Sequence, residues 1–583
     1  MLTSSDFDDD GHAELVVSSA TDLGLLQVSG STLTATARAS SGTWLGGWNL
    51  QVQDNRFGPV GDFDGDHRAE LVVSSPWGLG ILERQGGELR PLTMAANGTR
   101  LGEWNLQTGD NRFEQVLDLD GDGRDGLLVT SPWGLGLLGL GRSGLSSHWL
   151  FPNGTRLGGW NLQTGDNRFG PAGDLDGDGR DEVLVSSPWG VGVLDVDAGS
   201  PTVVAMAANG TRLGGRWNLQ TGDNRFRLAG DVDGDGREEV LVTSPWGIGV
   251  LALRDGALVP LFLVPNGTRL GEWVVDTASN RFGPLADLDG DGRAELFVSS
   301  PWGVGVLEWN GSGLTSSVMA ANGARVGEWV VDTRNNRFGR AADYDGDGRA
   351  EVLASSPWGV GLLKQSGSTF STPVMAANGT NAGGWRIDTD DDRYGVRGGC
   401  ADHVTVHTKT LVTPTAAVRT FLHRQFTEAE QLFADVGIAL YRGSLEDLSA
   451  DPALAHLVAL DVGTCTLGAP TAEHVDLYAH RAGVAADDLV VYLVQTLVGG
   501  SGTFAGCATH PAGQPGAAIV QAGARWLLAH ELGHVLGLRH PPTTPATNAD
   551  QLMWWTTSWT NTPPDLAESE VSTLLQSLLT HPV

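Results

Sequence analysis

Cysteine is almost absent from this chain: Cys400, Cys465 and Cys507 are the only three among 583 residues. A disulfide-built scaffold is excluded, and a single Cys465 to Cys507 bridge remains open in an oxidising compartment. Long apolar runs are missing too, none reaching the roughly 18 residues that span a bilayer, so membrane insertion is not expected. Cations are scarce, with 37 Lys and Arg against 69 Asp and Glu and a formal charge of −32. So acidic a surface repels phosphate backbones and anionic lipid, which disfavours nucleic-acid and membrane-surface binding. The amino terminus shows no charged start, hydrophobic stretch or cleavage site. Either the chain stays inside the cell or a signal lies upstream of Met1.

Glycine, by contrast, is abundant: 82 residues, about twice the ordinary share, beside a 40% hydrophobic content. That combination implies a globular, loop-rich protein with buried cores. An acidic loop recurs seven times, starting at Asp6, Asp62, Asp118, Asp174, Asp231, Asp287 and Asp343, at spacings of 56 or 57 residues. Each unit reads approximately GDLDGDGRDEVLVSSPWGVGVL, a variable hairpin, then MAANGTRLGGWNLQTGDNRFG. Short β-branched runs between Gly and Asn-Gly turns predict four strands per unit. Four-stranded sheets repeated radially at this period predict a seven-bladed β-propeller. Trp48, Trp104, Trp160, Trp217, Trp273, Trp329 and Trp385 each open a segment ending in Asn-Arg-Phe or Asp-Arg-Tyr. The chain begins in mid-unit, and residues 385–398 are the piece that first unit lacks. The two ends are therefore expected to share one blade.

In DLDGDGRDE the carboxylates fall at positions 1, 3, 5 and 9 of a tight loop, with Gly at position 6 permitting the turn. Converging carboxylates repel one another unless a hard cation neutralises them, and Ca²⁺ suits oxygen ligands of this kind. The candidate ligands are Asp6, Asp8, Asp10 and Glu14; Asp62, Asp64, Asp66 and Glu70; Asp118, Asp120 and Asp122; Asp174, Asp176, Asp178 and Glu182; Asp231, Asp233, Asp235 and Glu239; Asp287, Asp289, Asp291 and Glu295; and Asp343, Asp345, Asp347 and Glu351. Up to seven structural Ca²⁺ ions are expected. The Asp62 loop has His67 in place of the turn glycine, and the Asp118 loop ends in Gly126 where its last carboxylate belongs, so it is expected to bind weakest.

These residues resemble the FG-GAP and VCBS repeats of integrin-like propellers, over about two thirds of the chain. The resemblance implies that the calcium loops are structural. The GGW to RF segment is also similar to that of seven-bladed propeller lectins, which implies a carbohydrate-binding role. The Ser-Pro-Trp-Gly tryptophans (Trp77, Trp133, Trp189, Trp246, Trp302 and Trp358) are expected to pack between blades, with sugar stacking as the alternative. Asn-Gly-Thr at Asn97, Asn153, Asn209, Asn266 and Asn378 matches a glycosylation sequon, but recurrence at a fixed phase argues for a hairpin turn.

After residue 398 the repeat stops, and eleven of the fourteen histidines lie beyond residue 400. A second domain, residues 399–583, is expected to be of α+β class. A strand at HVTVHTKTL is followed by a helix from Pro414 to Gly437 with Leu422, Phe426, Ala429 and Phe433 on one face. Strands follow at IALYR, HLVALDV and DLVVYLVQ, then helices over 524–536 and 565–579. The first of these carries HELGHVLGLRH, residues 530–540. His530 and His534, four apart, project from one helical face and can share a Zn²⁺. Gly537 lets the chain turn so that His540 returns as third ligand. Glu531 is placed to take a proton from water in the open fourth position.

The pattern His530, Glu531, His534, Gly537 and His540 resembles the HExxHxxGxxH motif of the metzincin zinc peptidases. That resemblance implies a methionine packed beneath the metal, for which Met553 is the candidate. Pro541 is similar to the serralysin branch, whereas Trp555 stands where that branch carries a tyrosine. The expected protein is thus multidomain: an all-β propeller followed by a metzincin-like zinc endopeptidase acting on protein or peptide, with one catalytic Zn²⁺. Calcium loops that fill at extracellular levels suggest secretion or surface display. The propeller is expected to target the enzyme to protein or glycan. The alternative is an adhesin or lectin with a structural or inactive zinc domain.

Overall fold

The computed structural model describes residues 5–394 and 402–541 apart from breaks of one to three residues, then 551–554 and scattered positions between 564 and 582. The chain divides into two compact units, residues 1–399 and 400–581.

In the first unit seven antiparallel sheets make up the propeller, six of them four-stranded and the seventh, which carries the Asp343 loop, with its outer strand divided into Thr369–Ser371 and Met375–Ala377. In one blade the strands are Arg168–Gly173, Glu182–Ser187, Gly190–Asp197 and Ser200–Ala208, in that spatial order. The acidic loop joins the first strand to the second, and Ser-Pro-Trp-Gly joins the second to the third. The second strand, EVLVSS, reads as a continuous apolar run because both of its faces are covered. The closing blade draws on both ends of the chain. Leu15–Ser18 pairs with Arg393–Tyr394, Val17 lying opposite Tyr394 and Ser18 opposite Arg393. Residues 395–398 lie outside the described residues.

Between blades runs an element that the four-strand reading missed: a two-residue ladder such as Leu157 opposite Trp160. It delivers the GGW tryptophans into the gaps between blades. Trp104 lies against Gly136 of the next blade, where a Cβ would come within 2.6 Å of the indole, and Trp385 likewise meets Gly24 of the closing blade. A side chain on either glycine would push the blades apart. Each buried indole N–H then finds an acceptor, as Trp160 Nε1 does on Asn167 Oδ1 at 3.0 Å and Trp385 Nε1 on Asp392 Oδ2 at 3.1 Å. This is the physical reason for the Asn, or in the last segment the Asp, that precedes Arg at the end of each segment.

The Ser-Pro-Trp-Gly tryptophans do not pack between blades as expected. They are exposed, from 39% for Trp133 to 72% for Trp189. Their backbone is fixed by the turn, Trp189 N–H donating to Ser187 Oγ. The inter-blade space they were assigned is already filled by the GGW set.

The Asn-Gly-Thr asparagines are committed inside the fold. Asn209 Nδ2 donates to Pro188 O and Thr221 Oγ1, its Oδ1 accepts from Thr221 N–H, and Thr221 Oγ1 donates to Ser187 O at 2.6 Å. Gly210 takes φ +88°, in the left-handed region that glycine alone adopts freely. The motif is a turn that ties three strand ends together.

The second unit opens strand–helix–strand: Asp402–Thr410, α1 (Ala416–Ala434), then Ile438–Asp447. Its main sheet runs 438–447, 402–410, 489–494, 516–520 and 506–507 in spatial order. The first four are parallel and Gly506–Cys507 is an antiparallel edge. Leu422, Phe426, Ala429 and Phe433 of α1 are buried in the core beneath the sheet, as the sequence pattern requires. A smaller sheet joins 459–463, 496–499 and 502–504, and α2 spans Ala472–Tyr478. Cys465 and Cys507 are bonded, tying the end of one sheet to the edge strand of the other. None of the described helices is long and apolar enough to cross a membrane. Gly437 and most of the expected terminal helix over 565–579 lie outside the described residues.

Candidate functional site

The histidine motif sits on α3, Leu527–Val535, a nine-residue helix whose residues are buried on nearly every side. Its amino end has no side-chain cap of its own. Gln425 of α1 supplies one, accepting from Leu528 N–H at 2.9 Å and donating to Ala524 O at 2.7 Å. At the other end Leu538 N–H donates to Gly533 O and Gly537 N–H to His534 O, the paired bonds of a Schellman turn. Gly537 carries φ +112° there, which explains the glycine and reverses the chain so that His540 comes back over the helix.

Three imidazoles converge as a result. His540 Nε2 lies 3.2 Å from His530 Nε2 and 3.0 Å from His534 Nε2. The opposite ring nitrogens are held by backbone, His530 Nδ1 by Leu552 O at 2.7 Å and His534 Nδ1 by Leu538 O at 2.9 Å. Nδ1 is therefore the protonated nitrogen in both rings, and both Nε2 lone pairs face the common point. Burial, the leading cause in each, lowers His530 to about 4 and His534 to about 3, and lowers His540 as well. Neutral, converging imidazoles are the chemistry of a transition-metal donor set, and together these three can hold one ion.

Glu531 follows directly on the same helix and is 5% exposed, with burial raising its carboxyl to about 8. The edge strand makes room for it: a Cβ on Gly506 would come within 2.3 Å of Glu531 Oε1. Met553 is fully buried, its sulfur 2.9 Å from where a Cβ on Gly533 of α3 would lie. Pro541 is described; Trp555 lies outside the described residues.

The acidic loops bring their carboxylates together as well, including Asp62, Asp64, Asp66 and Glu70. In the Asp174 loop, Asp174 accepts from the backbone of Gly177, Asp178 and Gly179, and Glu182 Oε2 accepts from Leu175. Glu182 Oε1 is buried with no hydrogen-bond partner. Burial is the first cause that raises Glu14, Glu70, Glu182 and Glu295 to about 8, and Glu239 and Glu351 to about 7. An orphaned buried carboxylate oxygen beside ionised neighbours fits a divalent cation. His67 adopts φ +69° in place of the usual glycine, so the Asp62 loop keeps its turn.

Sequence reasoning missed Gln425 and Gly506. It also missed the basic side chains that enter three acidic loops, Arg84, Arg254 and Lys364. Aligning the third strands of the blades would have exposed Lys364, which stands where other blades carry Gln27, Glu83 or Asp195.

The pattern of the FG-GAP-like repeat matches residues 287–354. No curated protein matches the chain. Among solved structures it is similar to a lectin of Agrocybe aegerita that recognises non-reducing terminal N-acetylglucosamine, at 18% identity over 66% of this chain and 95% of that one, with a TM-score of 0.43. It is similar to a periplasmic gluconolactonase of Pseudomonas aeruginosa at 14% identity, over 66% of this chain and 98% of that one, with a TM-score of 0.34. It is also similar to metalloproteinase-II of Bacteroides fragilis at 13% identity, over 40% of this chain and 83% of that one, with a TM-score of 0.23. The amino-terminal unit is a seven-bladed β-propeller that carries FG-GAP-like repeats.

Proposed function

We propose that the protein is a secreted zinc-dependent endopeptidase of metzincin type, carried behind a calcium-stiffened propeller that targets it to protein or glycan. The observation that carries this reading is the convergence of three neutral imidazoles with Glu531 next in line on the same helix. His530, His534 and His540 would hold the zinc, which when bound supplies Lewis acidity toward a peptide carbonyl and a more acidic water. The chain's own residues do the rest. Leu552 O and Leu538 O fix the orientation of two imidazoles, so the donor set does not reorganise. Glu531, kept from bulk water beside Gly506, would act as the carboxylate, the form that a cation held by the three imidazoles favours against burial, accepting the proton of the attacking water and returning it to the departing amide nitrogen. Chelation should abolish cleavage of an unstructured protein such as casein, and added Zn²⁺ should restore it. Cleavage that survives full removal of zinc would overturn the reading.

The second reading, an adhesin or lectin with a structural or inactive zinc domain, is favoured by one observation. Six blades present an exposed tryptophan at the same turn, and an exposed indole face is a stacking platform for a sugar ring. Retention on immobilised glycans that is lost in Trp189→Ala, without any peptide cleavage, would support it.

A further inference from the structure

Seven acidic loops share one pattern, yet their surroundings divide them. In the Asp343 loop, Lys364 Nζ lies 2.6 Å from Asp345, 2.8 Å from Asp347 and 2.8 Å from Glu351, and its side chain is 12% exposed. An ammonium that touches three of the four carboxylates engages the same oxygens that a metal ion in this loop would need. In the Asp231 loop, Arg254 Nη2 lies 2.8 Å from Asp235, 3.0 Å from Glu239 and 3.6 Å from Asp233. In the Asp6 loop, Arg84 arrives from the neighbouring blade and bridges Asp8 and Glu14. Lys364 and Arg254 reach their own loops from the same face of the third strand, two residues apart in register; Arg84, one residue between, points to the other face.

The other four loops differ. Among the described residues no Lys or Arg forms an ion pair with a carboxylate of the Asp62, Asp118 or Asp287 loops. In the Asp174 loop, Arg180 pairs with Asp178 from the rim, approaches Asp195 and reaches back to Val196 O, and does not pair with Glu182, whereas Lys364, Arg254 and Arg84 each contact the glutamate of their loop.

We infer that Lys364, Arg254 and Arg84 are built-in cations that replace calcium in three blades, so that only the Asp62, Asp118, Asp174 and Asp287 loops take Ca²⁺. The inference rests on the calcium reading of the loops. A fixed ammonium or guanidinium costs no binding equilibrium, so those three loops keep one compensating positive charge at any calcium level. They are the closing blade, built from Leu15–Ser18 and Arg393–Tyr394, and the two blades that contain the Asp231 and Asp343 loops. The ring would then stay shut when the remaining loops empty.

The test is calcium stoichiometry of the full-length protein by equilibrium dialysis with elemental analysis, beside Lys364→Gln and Arg254→Gln, each checked for native tryptophan fluorescence. Wild type should hold about four Ca²⁺ per chain, and each variant should gain one. Seven ions in wild type, or four with no gain in either folded variant, would overturn the inference and leave calcium binding standing. No calcium in any of the three would instead overturn the calcium reading itself.

Discussion

The backbone N–H of Ala13 donates to the carbonyl oxygen of Asp343 at 2.8 Å, closing the first acidic loop onto the last. The same bond links each loop to its predecessor: Ala69 to Asp6, Asp125 to Asp62, Asp181 to Asp118, Glu238 to Asp174, Ala294 to Asp231 and Ala350 to Asp287. The seven loops thus form a continuous hydrogen-bonded ring. The closure is the one link whose two residues lie at opposite ends of the repeat array. Ala13→Pro removes this donor and should cost about 1–3 kcal/mol. Hydrogen exchange should accelerate in Leu15–Ser18 and Arg393–Tyr394 before the other blades; uniform acceleration would mean that the closure is not the weak point.

The two tryptophan sets should behave oppositely. Trp160→Ala removes an indole from between two blades and should cost about 3–5 kcal/mol. Trp189→Ala, at an exposed turn, should stay within about 0.5 kcal/mol of wild type. Denaturant midpoints of the two variants check this directly.

Asn209→Ala leaves the Thr221 N–H without an acceptor and removes both amide donor bonds. A loss of about 1–3 kcal/mol is expected, and Asn209→Asp, which keeps the acceptor oxygen, should recover part of it.

The Cys465 to Cys507 bond closes a 42-residue separation. In the chain-entropy view such a loop is worth about 4 kcal/mol, so a reductant should lower the melting temperature of the second unit and leave that of the propeller unchanged. Because Cys507 adjoins Gly506, whose backbone faces Glu531, reduction should also weaken cleavage.

His474 caps α2 as a neutral ring: Thr471 N–H donates to its Nδ1 at 3.2 Å, and burial lowers its pKa to about 4. The unfolded ring, near 6.5, binds the proton more readily. The folded-state advantage is therefore complete above about pH 6.5 and is lost as pH falls toward about 4. His474→Gln should flatten that part of the stability profile of the second unit.

Much of this was legible in the sequence because a repeat multiplies a weak signal. Seven registered copies of the Asp-Leu-Asp-Gly-Asp-Gly pattern fixed the blade number, and the odd placement of Trp385 foretold that the chain ends share a blade. Gly537 announced the turn that brings His540 back. The Ser-Pro-Trp-Gly tryptophans were misjudged because burial depends on which of two aromatic sets reaches the inter-blade gap, and neither spacing nor hydrophobicity decides that. The strand Gly516–Val520 escaped notice because GAAIV is short, lacks alternation and is buried on both faces. Lys364 was hidden because its partners lie 13 to 19 residues earlier in sequence and meet it only across a hairpin.

The proposed peptidase depends on Glu531 as its proton-transferring base. The direct measurement is the casein cleavage rate of zinc-loaded Glu531→Gln beside zinc-loaded wild type, with bound zinc quantified in both. A variant that keeps its zinc and loses cleavage by about 10²- to 10⁴-fold is the expected result. Equal cleavage in the two proteins, or no cleavage by a zinc-loaded, folded wild type, would contradict it.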